Sequence, residues 1–268
     1  MMLDDIVARK SYGYDIFFRI VDKSHSGIYL LHSVDFRLRA TSLREDLVNI
    51  KKDTFLEFKQ SFRGNLEKKI EALLQDRKEI YDENKFSIKA GKVLHIDADR
   101  EYLNICTKYY KMLNIPIVGM QIEESNQASQ IADLLKEYMP DILVITGHDS
   151  IKNGADIHNV ENYKSSKYFI ETVKMARLFN PSKDSLVIIA GACQSYYEGL
   201  IEAGANIASS PQRTLIHALD PLFVAEKVSY TNVNIVLSID QLTKTTITGI
   251  DGIGGYETRG TCRKGNFI

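Results

Sequence analysis

Few cysteines, no long apolar run and almost no net charge: each of these absences removes a class of function. The three cysteines, Cys106, Cys193 and Cys262, form no CxxC pair and no zinc-type spacing, and an odd, sparse set fits a reducing compartment rather than a disulfide framework. No apolar run approaches the ~20 residues needed to cross a bilayer. The leading Met1-Met2-Leu3-Asp4-Asp5 lacks the basic region and apolar core of a secretory signal, so a soluble, cytoplasmic protein with no membrane partner is expected. With 34 basic and 35 acidic residues mixed along the chain, there is no basic field to hold nucleic acid. Repeats and low-complexity tracts are also missing. The glycines between Gly249 and Gly260 lack the spacing and the following helix of a GxGxxG phosphate loop, and Asp97-Ala98-Asp99 and Asp251-Gly252 are too sparse for a calcium loop. No metal and no cofactor is expected.

What is present suits one large α/β domain with a small appendage, the most that 268 residues accommodate comfortably. Within residues 1–50, short β-rich runs at Ile6–Arg9, Asp15–Val21, Gly27–Leu31 and Val34–Ala40 are separated by turn residues and predict a small SH3-like β barrel. Residues 51–90 read as a helical linker: between 52 and 83, Phe55, Phe58, Phe62, Leu66, Ile70, Leu73 and Leu74 recur among charges with no proline. His25 and His32 have no partner at metal-ligand spacing and read as surface or structural residues.

From residue 91 to 248 the pattern becomes a regular strand and helix alternation. Strands are expected at 93–96, 116–119, 142–146, 186–190, 206–209 and 245–248, with helices at about 100–113, 126–138, 162–179, 194–203 and 216–228. Continuous apolar strands alternating with helices predict a parallel sheet covered by helices on both faces, which places ligands at the carboxyl ends of its strands. Cys106 falls on a helical apolar stripe and reads as core, whereas Cys262 reads as an exposed bystander in a Gly-rich segment, 249–268, expected to be a flexible tail or a loop near the site.

Two of those strands end in reactive residues. Asp141–Thr146 runs into Gly147-His148-Asp149, and Ser185–Ala190 runs into Gly191-Ala192-Cys193-Gln194-Ser195. A thiolate is the nucleophile, and a neighbouring imidazole can take its proton and later return it to a leaving amine. The His precedes the Cys by 45 residues, against about 50 in caspases, and nucleophile-elbow folds use the opposite order. Alone, Cys193 would read as a buried structural thiol and His148 as a loop residue; their matched placement favours a nucleophile and its base.

Strand to Gly-His followed by strand to Ala-Cys resembles the caspase-like cysteine peptidases. Together with DIVARKSYGYDIFFRIVD, VLHIDADREYL, ITGHDS and GACQS, the pattern is similar to the YabG sporulation peptidases along nearly the full length. The resemblance implies a cysteine endopeptidase with a Cys193 and His148 dyad that processes proteins of the spore coat or cortex and cleaves after Arg. It also implies an oxyanion hole from the backbone of Asp149 or Gly147 plus the amide of Cys193; many relatives carry Gly where Asp149 stands. Several Arg-specific relatives place an acid two residues before the Cys, where this chain has Gly191, so the acid that takes the guanidinium must come from elsewhere. Asp97 is the first choice, with Asp99 and Asp149 as alternatives; an equally good reading of Asp99 is a helix N-cap. Ser209 and Gln212 are expected along the substrate wall, although Ser-Pro-Gln is also ordinary turn chemistry. An Arg-specific enzyme would also find Arg259-Gly260 a ready site of self-cleavage in a mobile tail; an equally good reading packs the tail against the catalytic domain, with Ile250, Ile253 and Tyr256 buried and the bond inaccessible.

Two readings compete. A Cys-dependent amidase or acyltransferase would use the same thiol with a downstream base, for which His217 is the candidate. A non-catalytic binding module would leave the pair vestigial.

Overall fold

The computed structural model describes residues 1–80 and 86–266, and the chain divides into two compact units at Ile80. The first holds strands β1 (Ile6–Arg9), β2 (Phe17–Lys23), β3 (Tyr29–Ser33), β4 (Arg39–Ser42) and β5 (Leu47–Asn49), followed by helix α1 (Lys52–Ile80). The strands form one antiparallel sheet in the order β4-β3-β2-β1-β5. Short runs with period-two burial, such as Phe18 and Ile20 inward on β2, explain it. The sheet has a fifth strand, β5, beyond the four runs read from the sequence, because Leu47–Asn49 is too short to register as a run. Phe17 meets Phe55 and Phe58 edge-on, which fastens the start of α1 to the sheet. The expected helical segment is one continuous helix up to Ile80; residues 81–83 of that expectation lie outside the described residues.

The second unit begins with β6 (Phe86–Lys89) and β7 (Val93–Asp97), then α2 (Arg100–Met112), β8 (Ile117–Gln121), α3 (Glu124–Tyr138) and β9 (Ile142–Thr146). It continues with α4 (Ser166–Phe179), β10 (Val187–Ala190), α5 (Tyr197–Glu202), β11 (Ile207–Ser209) and α6 (Asp220–Tyr230). The end of the chain adds β12 (Val236–Leu237), α7 (Ile239–Thr243), β13 (Ile253–Gly255), β14 (Thr258–Arg259) and β15 (Arg263–Asn266). Six strands form the main sheet in the order β13-β11-β10-β9-β7-β8, parallel except for β13. Because side chains alternate along a strand, Leu94, Ile96, Leu143, Ile145, Ile188 and Ala190 face one way, where α3 and α4 cover them with Ile131, Leu135, Phe169 and Val173. The intervening residues face α2 and α6, and His95 lies against Tyr110 there, edge to face.

The C-terminal expectations need correction. Thr245–Thr248 forms no strand: Thr248 Oγ1 and the amides of Ile247 and Thr248 instead donate to the buried Asp220 carboxylate, so these β-branched residues serve a turn. The Gly-rich segment is not a flexible tail. β13 pairs with β11 as the sheet's edge strand, and Gly255 approaches the Asn206 carbonyl so closely that a Cβ would lie 2.3 Å from it. Glycine is required there for backbone approach, not for phosphate. Cys262 is fully buried rather than exposed, and its carbonyl and amide bond with Val233 and Thr231. Arg259 sits in β14, paired with β12, and the Gly260 amide donates to Ile235, so the Arg259-Gly260 bond is held in structure rather than displayed for cleavage. Among the described residues no helix is long and apolar enough to cross a membrane.

Candidate active site

The sheet ladder places the two reactive residues at one level. β9 and β10 are parallel neighbours with Ile145 paired to Ala190, and His148 and Cys193 each lie three residues beyond that pair. Adjacent strands run about 4.8 Å apart, so both residues emerge at the carboxyl edge of the same strand pair. Cys193 is fully buried; the Ile216 amide donates to its sulfur at 3.4 Å, and the thiol points to the Ile216 carbonyl at 3.6 Å.

His148 is held from two sides. Its amide donates to Glu124 Oε1 at 2.8 Å, from the first turn of α3, and that carboxylate passes so close to Gly147 that a Cβ would lie 2.6 Å from Oε1. Its ring nitrogen Nε2 is 2.8 Å from Asp99 Oδ2. Asp99 is also the N-cap of α2: Oδ1 accepts from the amides of Glu101 and Tyr102 at 2.8 and 3.3 Å. One carboxylate therefore starts a helix with one oxygen and faces the imidazole with the other. An ionised carboxylate only accepts, so the neutral tautomer that suits this contact is the one with the proton on Nε2. The Tyr102 ring packs against the imidazole at 5.8 Å between centroids.

Asp149 turns its side chain inward. Its carboxylate accepts from the amides of Ser150 and Ser165 at 2.9 and 2.8 Å and from the hydroxyls of Ser195, at 2.9 Å, and Ser166. Ser195 Oγ in turn accepts from the Ala192 amide, and Ser166 Oγ from the Tyr196 amide. Asp149 thus ties the loop after His148 to the loop after Cys193. Burial pushes its carboxyl above the usual range despite those four bonds. Its own amide N–H has no hydrogen-bond acceptor among the described residues.

The other expected residues lie around this edge. Asp97, at the end of β7, is fully buried, with Oδ1 accepting from the Asp99 amide at 2.9 Å. Gly191 has φ +111°, and a Cβ there would lie 2.9 Å from Leu200 Cδ1 and 3.1 Å from Ser209 Cβ, so the position admits no acidic side chain. Ser209 is buried at the end of β11, its hydroxyl without a hydrogen-bond partner among the described residues, while Gln212 is exposed on the following turn. His217 is buried in a turn before α6, its amide bonded to Asp220 and Thr248 and its Nδ1 accepting from the Leu219 amide.

Sequence reasoning missed Glu124 and the serines around Asp149. Glu124 sits in a helix first turn, where an acid reads as ordinary dipole complementation, and Ser165, Ser166 and Ser195 lie 16 to 46 residues from Asp149 in the chain.

Comparison with known proteins shows the family to which the chain belongs. The family model described as YabG peptidase U57 matches residues 2–266. The chain is 41% identical over 280 residues to the sporulation-specific protease YabG of Bacillus subtilis (strain 168), an alignment covering 98% of this chain and 97% of that protein. No solved structure matches. A family match along nearly the whole chain and a relative 41% identical over 98% of it show that this chain belongs to the YabG family of sporulation-specific peptidases.

Proposed function

We propose that the chain is a cysteine endopeptidase in which Cys193 is the nucleophile, His148 its general base and acid, and Asp99 the group that orients His148. The observation that carries this reading is the common register of His148 and Cys193 beyond the Ile145 and Ala190 pair. The Cys193 thiol gives its proton to His148 Nδ1, and the thiolate adds to the peptide carbonyl carbon. The developing oxyanion is received by backbone N–H groups, those of Asp149 or Gly147 with that of Cys193; the unengaged Asp149 amide supports the first. The imidazolium then protonates the leaving amine, and water hydrolyses the thioester with His148 again as base. Asp99, 2.8 Å from Nε2, keeps the imidazole in the tautomer this cycle requires.

Substrates are proteins of the spore coat or cortex region, cut after Arg within a sporulating cell, in the mother cell or at the forespore surface; family membership supports the setting. Against an amidase using His217, the turn bonds of that residue leave it a structural part of the approach to α6. The test is cleavage of an Arg-containing peptide by Cys193→Ala, His148→Ala and His217→Ala. Loss in the first two with activity kept in the third is expected; full activity of Cys193→Ala would end the proposal.

A further inference from the structure

Cys193 is covered by the chain itself. Beyond β11 the segment Ser210–Ile216 crosses the nucleophile loop: the Ile216 backbone brackets Cys193 Sγ, and the Thr214 carbonyl and Ser210 hydroxyl both accept from the Gln194 amide, at 3.1 and 2.9 Å. In the middle of this strap is Arg213, in a left-handed backbone conformation (φ 54°). Its guanidinium is bound as a ligand would be. Nη2 meets the Glu198 carboxylate, Nε donates to Tyr163 Oη at 2.7 Å, and Nη1 donates to the Pro211 carbonyl at 3.2 Å. The stacked rings of Tyr163 and Tyr196 each lie 5.8 Å from the guanidinium carbon.

The walls of this cage come from the two catalytic loops. Tyr163 bridges back to Ile151, three residues after His148, and Tyr196 is three residues after Cys193, with its amide tied through Ser166 to Asp149. The acids near the dyad are otherwise engaged: Asp97 and Asp149 are buried within hydrogen-bond networks, Asp99 holds His148 and α2, and Glu124 holds the His148 amide. Glu198 differs. Its side chain is 40% exposed against 10% for Arg213, so it faces solvent while its ion partner, Arg213, belongs to the strap.

We propose that the Arg213 cage is the pocket for the substrate's P1 arginine, closed in this structure on the chain's own arginine, with Glu198 as the acid that takes the substrate guanidinium when the strap swings out. The proposal rests on the Arg-preferring reading above and deepens it: the substrate is recognised by the chemistry that holds the strap, and its binding uncovers Cys193. A carboxylate, a phenolic oxygen and a backbone carbonyl around a planar cation form a receptor that discriminates Arg from Lys, whose ammonium lacks the fork.

Two measurements on the full chain that require no proteolysis test this. The first is the rate of iodoacetamide labelling of Cys193, located by peptide mapping, in the parent, Arg213→Ala and Arg213→Lys. The second is calorimetric titration of agmatine, with butylamine as control, into proteins carrying Cys193→Ala alone, with Arg213→Ala, and with Arg213→Ala plus Glu198→Gln. Expected are at least tenfold faster labelling in Arg213→Ala, a smaller gain in Arg213→Lys, and at least tenfold tighter agmatine binding once Arg213 is gone, abolished again by Glu198→Gln. Unchanged labelling in both Arg213 variants, or agmatine affinity indifferent to Arg213 and Glu198, would overturn the proposal. Folding is read from the thermal transition, and Arg213→Lys replaces the Ala variant if the latter does not fold. Failure of the peptidase reading would leave agmatine binding intact and so is distinguishable.

Discussion

Replacing Asp99 by Asn separates its two duties. Asn caps helices about as well as Asp, so the bonds to the Glu101 and Tyr102 amides survive and stability should change by no more than about 0.5 kcal/mol. The other side-chain atom then becomes an NH2 donor facing His148 Nε2 where a carboxylate oxygen stands at 2.8 Å. A donor opposite Nε2 forces the ring proton to Nδ1, which removes the lone pair that takes the Cys193 proton. In triads of this logic the wrong tautomer costs about 10²–10⁴ in rate, or about 3–5 kcal/mol of transition-state stabilisation. Asp99→Ala is the counterpart: it loses the cap as well, at about 0.5–2 kcal/mol of stability. Steady-state cleavage of an Arg peptide, read beside thermal unfolding, distinguishes the two. A loss of kcat with near-parental Tm in Asp99→Asn is expected. A kcat/KM within threefold of the parent would refute the orienting role, and a rate loss matched by an equal loss of folded protein would reduce Asp99 to a cap.

Other outcomes follow from packing and charge. Ile188→Ala, in the central strand between α4 and its neighbours, should destabilise the second unit by about 2–5 kcal/mol in urea denaturation, since the side chain is fully buried and the sheet cannot close the cavity; a cost below 1 kcal/mol would contradict the packing. Burial pushes the Asp35 carboxyl up to about 6, with Lys59 opposing. Because the unfolded carboxyl ionises near 3.9, the folded state binds more protons between roughly pH 4 and 6, so this group's contribution to stability is full below that window and lost as pH rises through it. Asp35→Asn should therefore raise stability at pH 7, by up to about 3 kcal/mol, and flatten the decline; equal stability curves for variant and parent would count against it.

The central strands were legible because parallel strands covered on both faces are apolar along their whole length: 142–146 matched in full and 93–96 within one residue. The same completeness made the strand ends visible, since Gly147-His148 and Ala192-Cys193 interrupt the runs abruptly. Local propensity failed where the chain spends residues on distant partners. Thr245–Thr248 has strand composition, but Asp220, some 28 residues away, claims its donors. The glycines of 249–260 read as looseness when Gly255 marks contact with Asn206. Glu198 and Arg213 are an unremarkable charge pair in the sequence, and only the crossing of the strap over the loop that carries Cys193 brings them together.

The shared register of His148 and Cys193 has a consequence for how such a chain can drift. Each residue hangs on an arm of equal length, counted from a pair that the sheet holds fixed. Deleting one residue from either arm would withdraw its tip by about 3.3 Å and turn it to the opposite face, undoing the match at a stroke. Loops further out can lengthen freely. These two three-residue arms can change length only in concert, so natural variation in this family should leave both gaps unaltered while the surrounding loops vary in size.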